Sequence, residues 1–322
     1  MEFAMDNNQL RDDESRRESS SRVSTVTLNW NGKTVLRQCL QSLVEQDYPI
    51  EEMIVLDNGS SDGSIDMVMD EFPKVTLLRQ AENLGVPKGK NIGIRKALEG
   101  KSDYIFALDN DLYSDKSTIA QLVRILDNNP DIGIVGATIY YSDRPDVIFS
   151  AGQWVNWTQN LVANRGANQK DAGRLAALED VDYVGAGAML ARRKVFEKVG
   201  LLDEDYIGYG YDDTDFCLRV KDSGFRVVCY LPAKVWHEPQ SGIGRYSYKK
   251  KYLEARNAIR FMRIYGTPPR WAKFTIYVTL GLLYAFFREG LRGNMGGVKG
   301  KAQGLVDGIL SRDELARELL KQ

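Results

Sequence analysis

Asp109 and Asp111 are carboxylates one residue apart, directly after the run Tyr104-Ile105-Phe106-Ala107-Leu108. An apolar, aromatic-rich run of that length reads as a buried strand. The acids therefore leave a strand's C-terminal end, where open α/β sheets bind ligands. Carboxylates two positions apart on an extended chain point the same way. They can converge on one hard cation whose other ligands are water or substrate phosphates, the usual state of bound Mg²⁺. A solvated acidic turn before a helix near Asp115 would use the same residues.

Four other groupings could do chemistry. Asp57 ends the short apolar run Met53–Leu56 and enters the turn Asn58-Gly59-Ser60-Ser61-Asp62-Gly63-Ser64. A carboxylate there can accept a hydrogen bond from a uracil or thymine N–H, and the turn's glycines let backbone approach a ligand. A plain βα turn with an Asx cap is the alternative. Asn83-Leu84-Gly85 and Lys90-Asn91-Ile92-Gly93 form a small-residue loop entering a helix. That suits a phosphate at a helix N-terminus beside a lysine, or simply close helix–sheet packing. The dinucleotide fingerprint and the Walker ending are both absent. Asp212-Asp213-Thr214-Asp215 follows Tyr209-Gly210-Tyr211. A helix dipole accounts for one or two acids at a helix start. Three in four positions, beside tyrosines and a glycine, look like an acceptor pocket with a general base. His237 is the single histidine. Such a residue is commonly a structural hydrogen bonder, but Asp109 and Asp111 need a third ligand.

The elements that must position these groups alternate along the first two-thirds of the chain. Strands are predicted at Val23–Trp30, Met53–Leu56, Val75–Leu78, Tyr104–Leu108 and Ile132–Tyr141. Helices are predicted between them at Lys33–Gln46, Gly63–Phe72 (with Asp62 as N-cap), Gly89–Leu98 and Lys116–Asp127. That rhythm implies a parallel sheet wound in right-handed crossovers. Residues 142–181 lose periodicity and read as a functional loop region or disorder. A strand returns at Val181–Ala191, then helices at Arg193–Val199 and Asp213–Ser223, then a strand Phe225–Leu231 closed by Pro232. Beyond Ser247 the pattern is helical: Lys249–Tyr265, a break at Thr267-Pro268-Pro269, an apolar run and a glycine-rich basic stretch.

Composition narrows the class. A hydrophobic fraction of 43% over 322 residues fits one large soluble α/β domain with an extension, or two modest ones. Cys39, Cys217 and Cys229 show neither metal-ligand spacing nor a disulfide framework, which suits a reducing cytoplasm. The first 22 residues are charged and serine-rich, with no signal-peptide pattern, and read as a disordered tail. The net charge of −1 hides an asymmetry. Arg245 to Lys301 holds thirteen Lys or Arg and two acids, a local +11 that leaves about −12 elsewhere. Such a stretch suggests an anionic partner: nucleic acid, membrane lipid or a phosphorylated substrate. No nucleic-acid recognition motif accompanies it. Within it, Phe274–Phe287 is uncharged for fourteen residues. That is short of the roughly twenty a bilayer span needs, and its basic and aromatic flanks suit an interfacial helix. A helix packed on the catalytic domain or across a homodimer is the alternative.

Taken together, the motifs resemble the inverting, nucleotide-sugar-dependent glycosyltransferases of family two. The likeness runs from Val26-Thr27-Leu28-Asn29-Trp30-Asn31-Gly32 through the Asp57 turn, Asn83-Leu84-Gly85 with Asn91, Asp109-Asn110-Asp111, Asp182–Arg192 and Asp213-Thr214-Asp215 to His237. Asn29-Trp30-Asn31 is most similar to the rhamnosyltransferase-like branch. The resemblance implies a GT-A fold, a mostly parallel nucleotide-sugar-binding sheet flanked by helices; the basic helical C-terminal extension read from the pattern lies outside the likeness. It implies a tail at 1–22, a catalytic domain at 23–245 (donor half 23–141, acceptor half 142–245) and an extension at 246–322. It places Asn29, Asn31, Asp57, Asn83, Asn91 and Asp109 at the donor, with Asp57 on the pyrimidine base. Asp111 and His237 would hold Mg²⁺ or Mn²⁺, Asp213 would be the base and Asp212 would orient the acceptor. Asp212 stands where the family more often has Glu. The implied donor is dTDP-rhamnose, or a UDP-sugar second. The implied acceptor is a surface polysaccharide or lipid-linked glycan, and the basic stretch with Phe274–Phe287 is expected to hold the chain on the cytoplasmic face of an anionic membrane near it. A nucleotidyltransferase would also use a carboxylate pair, but Asn29-Trp30-Asn31-Gly32 is not the Gly-rich basic loop it needs. An inactive sugar-binding relative would not need every acid.

Overall fold

The computed structural model describes residues 21–158, 160–185, 187–208, 210–238, 247–292 and 295–320. The expected tail lies outside them up to residue 20, as does the expected boundary at 245. Within them the alternating pattern folds as β1 (Val23–Asn29), α1 (Lys33–Val44), β2 (Ile50–Asp57), α2 (Ser64–Glu71), β3 (Thr76–Arg79), α3 (Val86–Glu99) and β4 (Tyr104–Leu108). There follow β5 (Leu112–Ser114), α4 (Thr118–Asn128), β6 (Ile132–Tyr141), β7 (Ile148–Ser150), β8 (Gln153–Val155), β9 (Val162–Asn164) and β10 (Leu178–Asp180). β11 (Ala188–Arg192), α5 (Arg193–Val199), α6 (Asp212–Asp222) and β12 (Arg226–His237) complete the sheet region. The C-terminal part is α7 (Tyr248–Tyr265), α8 (Pro268–Gly290), α9 (Gly296–Leu310) and α10 (Glu314–Leu320).

The main sheet runs β10-β12-β6-β11-β4-β1-β2-β3, with β5 on β12 and β7 on β6. β1, β2, β3 and β4 pair in parallel, as the rhythm predicts. β11 is antiparallel to both β4 and β6, so the sheet is mixed rather than wholly parallel. Period-2 alternation splits its side chains between two cores. Along β4, Tyr104, Phe106 and Leu108 join α1, α2 and α4 on one face. Ile105 joins α3, α5 and α6 on the other.

Four local expectations need correction. The strand predicted at Val181–Ala191 begins only at Ala188, because Gly185 and Gly187 belong to a loop that threads between acid side chains. Pro232 does not close a strand. β12 runs on to His237, and Pro232 lies in the register shift between Tyr230 and Lys234, where the ladder needs no N–H. Residues 142–181 are not structureless, since they hold β7 to β10. Asp62 lies one residue before the N-cap Gly63, and its carboxylate accepts from the N–H groups of Lys33 (2.8 Å) and Ser64 (3.0 Å).

The glycine-rich basic stretch is the helix α9, and its glycines have a packing reason. Gly300, Gly304 and Gly308 lie against the backbone of α7, so closely that a Cβ at Gly300 or Gly304 would overlap the carbonyl of Tyr248 or Tyr252. α7 in turn is fixed to the loop before α6. Arg256 bonds to the Asp205 carbonyl and Asp313, Asn257 donates to the Ile207 carbonyl (3.0 Å), and Arg260 pairs with Asp203 (2.6 Å) and Asp205 (3.0 Å). Asp203, Asp205 and Asp313 come from outside 245–301, so the charge of that stretch is smaller in space than along the chain.

Candidate active site

β1 is flanked by β2 on one side and β4 on the other, so the chain crosses over it between β3 and β4. The C-terminal ends of such neighbours form the crevice of an open α/β sheet. Asn29 and Asp57 are register partners there, and Asp109 follows the last residue of β4. Asn29 is buried. Its amide donates to Asp57 Oδ2 (2.9 Å) and Ser60 Oγ (3.2 Å), and its Oδ1 accepts from Asn110 (2.8 Å). Asn29 thus ties three strand ends together. Asp57 is also buried, and its Oδ1 accepts the Ser60 N–H (2.8 Å). A nucleobase N–H would take one of its remaining lone pairs. Asn31, at φ 50°, accepts the Ser61 N–H (2.8 Å) and fixes the loop opposite.

Asn83 and Asn91 have other partners than a donor. Asn83 Oδ1 accepts from Asn58 (2.9 Å) and the Gly85 N–H (3.0 Å), which shapes the entry to α3. Asn91 is buried. It donates to the Leu202 carbonyl and Glu204 (both 2.9 Å) and accepts the Leu202 N–H (3.0 Å). It clamps α3 to the 202–204 loop.

Lys90, read from sequence as the lysine beside a phosphate site or as part of close helix–sheet packing, is paired with an acid. Its Nζ is 2.6 Å from Asp109 Oδ1, and the lysine is buried. Burial alone would lower its pKa, but Asp109 and, further off, Asp212 and Asp213 hold it above the ordinary lysine value. One buried ammonium therefore links the acid after β4 to the acids that open α6.

Those acids divide by environment. Asp215 is buried and held by Arg219 Nε (2.8 Å) and the Tyr265 hydroxyl (2.8 Å), so it braces α6. Asp212 is buried, and Tyr211 before it adopts φ 71°. Burial first, then the charge of Asp213, pushes the Asp212 carboxyl well above the usual range, while Lys90 pulls it back. Asp213 is half-buried, and its Oδ1 accepts the Thr214 N–H (2.7 Å). A buried proton-holding acid beside a more open carboxylate is a natural arrangement for accepting a proton. Tyr209, grouped with this cluster in the sequence, lies outside the described residues.

The antiparallel pairing of β5 with the end of β12 places Leu112 opposite His237. Asp111 Oδ2 and His237 Nε2 are then 3.2 Å apart. Neighbouring ligands of a six-coordinate cation with bonds near 2.1 Å lie about 3 Å apart, so the pair fits one divalent ion. Among the described residues no group of three His, Cys, Asp or Glu forms a metal site. The Asp109 carboxylate has Lys90 as a partner at Oδ1.

Sequence reasoning missed two parts of this site. A side chain at Gly187 would overlap the Asp109 carboxylate, and one at Gly185 would touch Asp213 Oδ2 at 3.7 Å. The loop before β11 thus meets the two acid groups at Gly187 and Gly185, positions that carry no side chain. Tyr183 is buried, and after burial it is the Asp213 charge that most raises its phenol pKa. Two glycines two residues apart just before a strand were the available signal.

Residues 24–200 match glycosyl transferase family 2, and residues 177–247 match the family described as N-terminal domain of galactosyltransferase. The chain is 26% identical over 260 residues to the dTDP-rhamnosyl transferase RfbF of Shigella flexneri, covering 76% of this chain and 81% of that protein. It is 24% identical over 267 residues to the low-salt glycan biosynthesis hexosyltransferase Agl10 of Haloferax volcanii, with 81% of each covered. An uncharacterized protein of Sinorhizobium fredii, y4gI, is 24% identical over 260 residues, but the match spans 28% of its length. Among solved structures, GalNAc-T7 with UDP, GalNAc and Mn²⁺ superposes with a TM-score of 0.58 at 16% identity, over 75% of this chain and 51% of that one. The mannosyltransferase PcManGT of Pyrobaculum calidifontis, with GDP-Man and Mn²⁺, gives 0.54 at 18% identity, over 94% and 79%. At these identities the structural likeness speaks for the fold.

Proposed function

The chain belongs to glycosyl transferase family 2 and is a glycosyltransferase, and from that premise we propose that it transfers a sugar, with inversion, from a pyrimidine nucleotide-sugar to a hydroxyl of a surface-polysaccharide or lipid-linked glycan. dTDP-rhamnose is the first choice of donor and a UDP-sugar the second. The observation that carries this reading is that two acid groups, Asp109 beyond β4 and Asp213 at the start of α6, border one glycine loop, with Lys90 paired to Asp109. A single displacement needs that division: one group for the leaving diphosphate and another for the incoming hydroxyl. The rhamnose preference is supported by Asn29-Trp30-Asn31 and by the likeness to the dTDP-rhamnosyl transferase.

In this reading Asp57 receives the pyrimidine N–H, and Asp109, held by Lys90, receives the donor ribose or sugar. Asp111 and His237 would hold Mg²⁺ or Mn²⁺, which when bound supplies positive charge to the diphosphate. The imidazole favours Mn²⁺, the tighter binder of nitrogen ligands. The acceptor hydroxyl lies against Asp213. Its oxygen forms a bond to the anomeric carbon as the carbon–oxygen bond to the diphosphate breaks. The nucleoside diphosphate leaves with that electron pair, and the hydroxyl proton passes to Asp213. Asp212, its carboxyl pushed up to about 7 by burial and by the Asp213 charge, orients the acceptor.

Calorimetry with UDP, dTDP and GDP, each with Mn²⁺ and then with chelator, tests the donor site. The expected order is dTDP, then UDP, then GDP, with loss of binding in chelator. Preference for GDP would overturn the pyrimidine assignment. Release of pyrophosphate from a nucleoside triphosphate and a sugar phosphate would point to a nucleotidyltransferase instead.

A further inference from the structure

α8 buries one stripe, through Phe274, Val278, Ala285 and Glu289, with Trp271 and Leu282 partly packed beside it, and leaves the opposite side open. On the open side lie Ile276 (58% exposed), Leu280 (58%), Leu283 (53%), Tyr284 (65%) and Phe287 (67%), followed by Leu291. Positions 276, 280, 283, 287 and 291 follow the spacing of a single helical face. They form a continuous apolar strip of about 22 Å at 1.5 Å per residue. Exposed apolar surface of this extent normally marks a contact with something else.

The charges around the strip indicate what that contact is. From Arg270 to Arg292 there are four cations and one carboxylate. That carboxylate, Glu289, is buried and already pairs with Arg288 (2.6 Å) and Arg292 (3.7 Å). Arg270 and Lys273 lie at one end of the helix, Arg288 and Arg292 at the other. A second copy of α8 laid on the strip, parallel or antiparallel, would set cations against cations with no exposed acid between them. An anionic surface with an apolar interior meets both the strip and its ends. No helix of the described residues is long and apolar enough to cross a membrane, so the helix would lie in the plane of the interface.

We propose that the outer face of α8, from Ile276 to Leu291, docks this enzyme flat on an anionic lipid bilayer. The placement has a use. Phe274 and Val278 on the inner side line a cavity shared with Tyr211, which adjoins Asp212 and Asp213. A surface held by α8 therefore lies one helix layer from the acceptor acids. The inference does not depend on which sugar is transferred.

The test is co-sedimentation of the full-length protein with vesicles of phosphatidylglycerol in phosphatidylcholine and of phosphatidylcholine alone. Binding to the anionic vesicles should be at least about tenfold tighter and should weaken with salt. The double variant Leu280→Glu, Phe287→Glu should lose it, while donor hydrolysis, circular dichroism and oligomeric state stay unchanged. Arg292→Glu, which keeps the apolar strip, should bind less tightly. Equal binding to neutral vesicles, no binding of the full-length protein, or retained binding in the double variant would overturn the proposal. A dimer that the double variant splits would assign the face to a second copy instead.

Discussion

At the residue scale the sharpest expectation concerns Asp213. It is the more open member of the acid pair, and its neighbour Asp212 is driven towards the neutral form. Asp213→Asn should leave dTDP affinity near wild type and lower transfer by roughly 10²–10⁴-fold, the usual loss for a general base. Loss of donor binding with turnover kept at saturation would reassign it. Asp212 adds a pH effect with a definite sign. Its unfolded pKa is about 3.9, and its folded value is raised, so the fold holds its proton over a range where the unfolded chain does not. That contribution is complete below about pH 4 and fades as pH climbs through the raised value. Asp212→Asn should therefore show a flatter urea midpoint between pH 5 and pH 8 than wild type, and an equally steep decline would contradict the raised pKa. Gly187→Ala belongs here too. The new methyl would displace the Asp109 carboxylate from Lys90, so donor affinity should fall, and the buried ammonium deprived of that partner should lower the melting temperature as well.

At the element scale, α7 and α9 touch backbone to backbone. Gly304→Ala adds a methyl where the Tyr252 carbonyl lies. Helix propensity would gain about 1 kcal/mol from that change, but overpacking of this kind costs about 1–3 kcal/mol and the collision is with main chain, which cannot rotate away. Net destabilisation in urea is expected. Ala302→Val, on the exposed side of the same helix, should be close to neutral. A Gly304→Ala protein as stable as wild type would mean the helices can part at no cost. Pro232 teaches the same lesson in a strand. A proline reads as a terminus, yet β12 absorbs it in a register shift and continues far enough to deliver His237 to Asp111.

At the scale of the whole molecule, the C-terminal helices are bonded to the catalytic region through Arg256, Asn257 and Arg260. Arg256 and Asn257 are buried, and leaving their partners without them exposes unsatisfied polar groups. Calorimetric unfolding should therefore give one cooperative transition, not two. Truncation before Tyr248 should lower the stability of the catalytic region itself. Two separated transitions would show that the extension is an independent domain.

Motif order and strand–helix rhythm were readable in the sequence because they are local. Apolar period and turn chemistry placed β1 to β4 and their helices within a few residues, and put Asp57 and Asp109 at strand ends. Nothing local says which residues a folded chain brings together. Asn83 lies before α3 and Asn91 within it, in a segment that looks like a ligand cradle; their side chains bond to Asn58, Gly85, Leu202 and Glu204, the last two over a hundred residues from Asn91. Lys90 looks like a phosphate ligand until the 3D arrangement surrounds it with Asp109, Asp212 and Asp213. The excess charge after residue 245 is real along the chain, but Asp203, Asp205 and Asp313 neutralise part of it in space. Chemistry-bearing residue types were therefore settled by the sequence. Their partners, and so their protonation and their freedom to meet a substrate, were decided only by tertiary structure, because burial and electrostatic pairing depend on distance in space.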